Sequence, residues 1–175
     1  MKSKWGINDN DWVIGYSGRL VRDKGIIELV RAFRKLKKGN ANYKLLLVGM
    51  FEVRDALPDD VQQDIKNDTQ IVWTDFQNSD MEYFYAMMNV YVLASYREGF
   101  PTGVLEAQAM QVPVITTRAT GCCDSILEGE TGLFVEHDVS QLTDAIRNIH
   151  DAHSAVSGQK AREWVRKNFE NHVVW

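Results

Sequence analysis

The feature that most constrains the fold is a run of four apolar residues, LLLV at 45–48, with no polar residue among them. A strand that is buried on one face alternates apolar and polar residues, whereas a continuous run is typical of a strand covered on both faces of a parallel sheet. Apolar β-type runs of this kind recur along the chain at 12–17, 44–48, 71–73, 90–94, 113–117 and 132–135. Helical patterns separate them, so the sequence predicts an α/β fold.

The helical patterns predict where the connecting segments pack. Apolar residues at 26, 29, 30, 33 and 36 follow the spacing of a one-sided helix, which we expect to open near Lys24. Further helices are predicted at 58–67, from 79 or 80 to about 88, and after 102, 139 and 157. Together these elements predict a Rossmann-like open parallel sheet of about six strands flanked by helices, with one domain at 12–170 and connecting segments at 1–11 and 171–175.

Composition narrows the classes of function. The chain has 175 residues and a formal net charge of -4, from 20 Lys plus Arg against 24 Asp plus Glu. An acidic balance argues against nucleic acid as a partner, because binding to phosphate backbones depends on Lys and Arg. No run reaches the roughly 18 apolar residues of a membrane span. Two adjacent cysteines, Cys122 and Cys123, are too few for a disulfide framework or a structural zinc site. We therefore expect a cytoplasmic protein.

The loop after the first strand, GRLVRDKG at 18–25, carries the first candidate binding residues. Ligands of open α/β sheets bind beyond the carboxyl ends of the strands. Gly18 permits close approach to the backbone, while Arg19 and Lys24 add cations near the start of a helix, where anions bind. These residues fit a diphosphate held without a metal ion. They also fit an ordinary strand-to-helix turn with solvated charges.

The loop after the fourth strand, REGFPTGVLE at 97–106, carries two carboxylates. Helical side chains point back toward the helix N-terminus, so Glu106, just inside the next helix, can reach the crevice that Glu98 faces. Two carboxylates beside free backbone amides suit a ligand with hydroxyl and phosphate groups. Both glutamates could instead complement the helix dipole. After strand five, 116–124 is a candidate rim of the same crevice, and Gly129 to Gly132 predicts a turn.

Three segments in order carry a family resemblance: GRL at 18–20 with Lys24-Gly25, SYREGFP at 95–101 leading to Glu106-Ala107, and EGETGL at 128–133. The chain resembles the C-terminal half of a GT-B glycosyltransferase of family 4 from about 12 to 169, and residues 5–7 resemble the end of the interdomain linker. The resemblance implies a retaining transferase that builds a polysaccharide or glycoconjugate. It also implies a separate N-terminal domain that holds most of the acceptor site.

The resemblance implies a role for each matched position. Arg19 and Lys24 would hold the diphosphate of a UDP-, GDP- or ADP-sugar and replace a divalent metal, so no cofactor or metal is expected. Glu98 would face the donor sugar, and Glu106 would accept from the ribose hydroxyls. The remaining donor-binding positions are Gly18, Gly99, Phe100, Pro101 and Thr102. We take Glu98, Arg19 and Lys24 as the catalytic group.

Other readings stay open at this point. A GT-B-like nucleotide-sugar epimerase shares the architecture, and a non-catalytic nucleotide-binding module is an alternative of another class. Two segments depart from the family pattern: MFEV at 50–53 replaces a Gly-rich stretch, and GCCD at 121–124 replaces a Gly-Gly pair. A basic flank at 31–38 is typical of a solvated helix face and leaves contact with the inner face of the cell membrane as an alternative.

Overall fold

The computed structural model describes residues 2–39, 42–77 and 79–169. Its centre is one sheet of six parallel strands in the order β3-β2-β1-β4-β5-β6. The strands are β1 Trp12–Ser17, β2 Tyr43–Val48, β3 Ile71–Trp73, β4 Val90–Leu93, β5 Val114–Thr117 and β6 Gly132–Val135. The predicted open parallel sheet is confirmed.

In the described part of the chain, six α-helices connect and flank the strands. They are α1 Ile26–Lys37, α2 Asp59–Asn67, α3 Met81–Tyr85, α4 Thr102–Ala109, α5 Val139–His150 and α6 Gly158–Phe169. Helix α1 packs against α5 and α2, while α4 packs against α6 and α3. Every residue of β4 and of β5 is buried, as expected for strands covered on both faces of a sheet, although β5 ends in two threonines.

The boundaries of α1 and α3 differ most from the predicted ones. Helix α1 begins at Ile26 because Gly25 takes a left-handed conformation, and Lys24 lies in the short 3-10 turn Arg22–Lys24 before it. Helix α3 ends at Tyr85, three residues earlier than expected. There the chain tightens into a turn and returns to the sheet, where Asn89 bonds Val13 through both its side chain and its backbone. Tertiary pairing with β1 thus overrides the helical pattern.

The order of the strands determines where a ligand can bind. Strands β1 and β4 are neighbours although two strands separate them in sequence, so the connections diverge between them. Such a switch point leaves a crevice at the carboxyl ends of the two strands. Within the described ranges, no helix is long and apolar enough to cross a membrane. The predicted connecting segment at 171–175, and residue 170, lie outside the described residues.

Candidate functional site

Two adjoining cavities lie at the switch point. The first has a volume of about 440 Å³ and includes Glu106 and Tyr85 in its lining. The second, of about 230 Å³, includes Glu98 and Lys24. The two predicted carboxylates therefore face neighbouring compartments rather than one undivided crevice.

The compartments share a common floor. Its residues come from the end of β1 and the start of α4: Ser17, Gly18, Arg19, Thr102 and Gly103. Helix α4 has Pro101 at its N-cap, no side-chain cap and no acidic residue in its first turn. The amide of Gly103 has no hydrogen-bond acceptor in the described part of the chain. An uncapped helix N-terminus of this kind binds anions, so the shared floor suits a phosphate group.

Gly103 is a glycine because α4 approaches β1 and β4 closely here. A Cβ atom at this position would lie 2.5 Å from the Tyr91 hydroxyl and 3.2 Å from the Ser17 hydroxyl. The first distance is too short for a side chain unless the buried Tyr91 moves, and the second is tight. The close approach brings the Gly103 amide to the floor that the two cavities share, whereas the Thr102 and Val104 amides donate to the Phe100 and Pro101 carbonyls.

Glu106 is held by a neutral hydroxyl network in the first cavity. The Tyr85 hydroxyl donates to Glu106 Oε2 at 2.6 Å and lies 2.8 Å from Ser17 Oγ. Burial, with Tyr91 and Glu106 nearby, raises the pKa of Tyr85 well above its ordinary value. Tyr85 therefore keeps its proton, and the pairing leaves the charge of Glu106 without a cationic partner among the described residues. A carboxylate in this state can accept hydrogen bonds from ligand hydroxyls.

Glu98 is held by a cation in the second cavity. Lys24 Nζ lies 2.6 Å from Glu98 Oε1, and the side chains are 17% and 11% exposed. A pair this shielded from water interacts more strongly than a surface pair, and removing one partner leaves the other charge uncompensated. Lys24, the predicted phosphate-binding residue, and Glu98, the predicted sugar-facing residue, are therefore coupled.

Arg19 is more loosely held than Lys24. Its Nη1 lies 3.1 Å from Glu52 Oε2, but the Arg19 side chain is 58% exposed. Exposed ion pairs contribute about 0 to 1 kcal/mol, so Arg19 can exchange this carboxylate for a ligand phosphate at little cost. Arg19 lines both cavities and is free to face either.

The wall of the first cavity opposite the floor is apolar. It includes Met50, Phe76 and Met81, of which Met50 is 44% and Phe76 is 62% exposed. Gly49 and Met50 come from the loop that departs from the family pattern, so this loop still forms part of the cavity. Exposed apolar surface beside a polar floor is suited to a heterocyclic base.

A buried serine joins the loops that carry Lys24 and Glu98. Ser95 Oγ lies 3.0 Å from the Asp23 carbonyl and 2.8 Å from the Arg97 carbonyl, and Ser95 is fully buried. The amide of Glu98 donates to the Thr120 carbonyl, so the loop at 116–124 is hydrogen-bonded to the loop at 97–106. This bonding fixes the backbone on both sides of the Lys24 to Glu98 pair.

The structure brings the predicted donor-binding residues together, although their roles stay predictions. Phe100 and Pro101 line the second cavity with Lys24 and Glu98, whereas Gly99 does not line either cavity.

Gly129 has a φ of 77° in the predicted turn. Cys122 is buried and Cys123 is exposed. Among the described residues, no cluster of His, Cys, Asp and Glu could hold a metal ion.

Sequence reasoning missed Ser17, Tyr85 and Glu52 as site residues. Tyr85 and Glu106 are 21 positions apart, and Arg19 and Glu52 are 33 apart, so no local spacing reveals either contact. A usable signal existed only for Ser17, which directly follows the apolar run of the first strand, where switch-point residues occur.

Comparisons with known proteins identify the family of this chain. Residues 1–169 match the family described as glycosyl transferases group 1. The chain is 37% identical over 172 residues to the capsular polysaccharide biosynthesis glycosyltransferase CapM of Staphylococcus aureus, covering 97% of this chain and 45% of CapM. The chain therefore spans about half the length of the curated relatives it matches.

Solved structures show the same fold. The C-terminal domain of the glycosyl transferase group 1 protein LpcC from Francisella tularensis has a TM-score of 0.81 at 25% identity, covering 97% of this chain and 93% of that one. HepE from Anabaena, solved in complex with UDP-glucose, has a TM-score of 0.84 at 22% identity, covering 99% of this chain and 48% of HepE. The chain belongs to the glycosyl transferases group 1 family and has the fold of a GT-B C-terminal domain.

Proposed function

We propose that this chain is the donor-binding domain of a retaining family 4 glycosyltransferase, which transfers a sugar from a nucleotide sugar to an acceptor. The observation that carries the proposal is the pair of adjoining cavities that meet at the uncapped N-terminus of α4. A nucleoside diphosphate sugar has the matching order of parts: a nucleoside, a central diphosphate and a sugar. HepE was solved with UDP-glucose, which supports a donor of this class.

The first cavity is assigned to the nucleoside. The base lies against the apolar wall of Met50, Phe76 and Met81, and Glu106 accepts from the ribose hydroxyls. The hydroxyl of Tyr85 fixes one oxygen of Glu106 and orients the carboxylate. A hydroxyl-to-carboxylate bond contributes about 1.5 to 3 kcal/mol, so Glu106 supplies a large part of nucleoside affinity.

The diphosphate lies on the shared floor. Arg19, Lys24 and the Gly103 amide at the start of α4 place positive charge at this position. As the bond to the sugar breaks, negative charge grows on the β-phosphate, and fixed donors aimed there stabilise the transition state more than the ground state. These donors take the place of a divalent metal, so we expect binding without one.

The sugar enters the second cavity, where Glu98 faces it. A carboxylate there can orient the sugar hydroxyls or ease positive charge at the anomeric carbon. Because Lys24 Nζ contacts Glu98 at 2.6 Å, one ammonium group links the sugar subsite to the departing phosphate. The similarity to CapM supports a role in polysaccharide biosynthesis.

The proposal is tested by thermal shift and calorimetry with UDP, GDP and ADP and with their glucose or mannose derivatives. Saturable binding of one nucleotide family is expected, and failure of all three would contradict the proposal. We expect no measurable glycoside formation by these 175 residues alone, because transfer needs an acceptor held within near-attack distance by a second wall of the cleft. Efficient transfer, or epimerisation of the sugar, would contradict the assignment of the chain as a donor-binding domain of a transferase.

A further inference from the structure

A third cleft, of about 790 Å³, adjoins the donor site and is larger than either of its cavities. Arg19 lines the third cleft and both cavities of the donor site, so the third cleft adjoins the floor assigned to the diphosphate. Four of the ten arginines of this acidic chain line it: Arg19, Arg22, Arg54 and Arg97. None of the roles assigned to the donor requires the last three.

Two of these arginines make their hydrogen bond through Nε, so their terminal nitrogens stay available. Arg22 donates through Nε to the Ala56 carbonyl at 2.6 Å, and Arg97 donates through Nε to Asp23 Oδ2 at 3.0 Å. Their Nη groups form no hydrogen bond within 2–39, 42–77 and 79–169. A guanidinium fixed through Nε presents its two Nη groups in a planar fork, the geometry that matches phosphate oxygens.

The charges in the cleft are only partly compensated. Its carboxylates are Asp23, Glu28 and Asp55. Arg97 pairs with Asp23, whereas Asp55 accepts only from the neutral Asp23 amide. Arg22 and Arg54 have no carboxylate within 4.0 Å in the described part of the chain. The four arginines outnumber the three carboxylates by one, and this excess of positive charge, with the unbonded Nη groups of Arg22 and Arg97, favours an anionic ligand.

Glu28 adds a second requirement. Its Oε1 accepts from the Tyr96 hydroxyl at 2.9 Å, whereas its Oε2 is buried and has no hydrogen-bond partner. A buried carboxylate oxygen without a partner is unfavourable, and a ligand hydroxyl would satisfy it once the carboxylate turns toward the cleft. The ligand therefore combines an anion with hydroxyl groups.

We propose that this cleft binds the phosphate group of a phosphorylated sugar acceptor, with Arg22, Arg54 and Arg97 on the phosphate and Glu28 on a hydroxyl. This inference rests on the proposed function, because it places the acceptor beside the donor diphosphate. The phosphate comes either from a soluble sugar phosphate or from a lipid-linked one, and the chemistry of recognition is the same.

The test uses the chain saturated with UDP and titrated with glucose 1-phosphate, inorganic phosphate or glucose. We expect glucose 1-phosphate to bind without displacing UDP, and glucose not to bind. The double variant Arg22→Gln/Arg54→Gln should lose at least tenfold in affinity for glucose 1-phosphate and keep its affinity for UDP. The control Arg31→Gln/Arg162→Gln removes two exposed cations elsewhere and should bind both ligands like the unaltered chain.

A further variant separates a built site from general attraction. Glu28→Gln keeps an acceptor for Tyr96, so it should weaken glucose 1-phosphate and leave inorganic phosphate unchanged. Vesicles containing phosphatidic acid form the lipid arm: binding to them that depends on Arg22 and Arg54, without binding of glucose 1-phosphate, assigns the phosphate to a lipid-linked acceptor. The inference is overturned if neither glucose 1-phosphate, at about 10 mM, nor the phosphatidic acid vesicles bind. It is also overturned if UDP displaces glucose 1-phosphate, or if the control variant loses as much affinity as the double variant. UDP binding that survives any of these results leaves the proposed function intact.

Discussion

Glu98 and Glu106 are eight positions apart in one segment, yet the fold holds them by different means. Glu106 accepts a hydrogen bond from the Tyr85 hydroxyl, whereas Glu98 pairs with the ammonium of Lys24. A neutral donor orients a carboxylate without cancelling its charge, so Glu106 can act independently of the phosphates. An ionic partner makes Glu98 sensitive to whatever else binds Lys24. The same residue type thus serves two purposes because of its neighbours.

The largest effect is expected for Lys24→Ala. This variant removes a charge-assisted bond to the diphosphate, worth about 1.5 to 3 kcal/mol, and leaves Glu98 uncompensated beside it. Affinity for UDP measured by calorimetry should fall about ten- to a hundredfold, and the difference should shrink at high salt. Lys38→Ala removes an exposed cation at the end of α1 and is the control. Equal affinities for UDP in the two variants would make the loop at 18–25 an ordinary turn.

The two carboxylates should respond differently when each is removed. Glu106→Ala should weaken UDP and its sugar derivative by a similar factor of about ten, because both contain the ribose. Glu98→Ala should spare UDP or tighten it slightly, since Lys24 is then released to the phosphates, and should weaken only the sugar nucleotide. The reverse pattern in calorimetry would overturn our assignment of the two compartments.

A smaller effect is expected for Tyr85→Phe, which removes only the hydroxyl that orients Glu106. The lost bond is not a bond to the ligand and acts only through the orientation of Glu106, so we expect a fall of roughly three- to tenfold in affinity for UDP. The preference for UDP over 2′-deoxy-UDP should fall as well, because Glu106 is no longer held toward the ribose. Tyr83→Phe, at an exposed position of the same helix, is the matched control. An unchanged preference would show that Glu106 needs no positioning.

The smallest effect is expected from metal removal. If Arg19 and Lys24 neutralise the diphosphate, the affinity for UDP should change less than about twofold when a chelator replaces magnesium. The measurement is a UDP titration in each buffer. A strict requirement for magnesium or manganese would mean that the cation at Lys24 serves Glu98 alone.

Much of the fold could be predicted because burial on both faces of a sheet leaves a local trace. The run at 45–48 and the spaced apolar residues of α1 each report their environment directly. Boundaries were less accurate where a distant partner decided them. Helix α3 stops at Tyr85 because the chain must return to β1, and nothing within the helix itself encodes that contact.

The sequence by itself determined the fold class, the loops that carry the candidate site and the charges available there. Periodicity and the order of strands are properties of consecutive residues, and the loops at strand ends follow from them. Only the tertiary structure decided which group holds each carboxylate. Tyr85 meets Glu106 and Lys24 meets Glu98 across 21 and 74 positions, because β1 and β4 lie side by side. Such pairings depend on strand order and helix packing, and they separate one predicted crevice into two compartments with different chemistry.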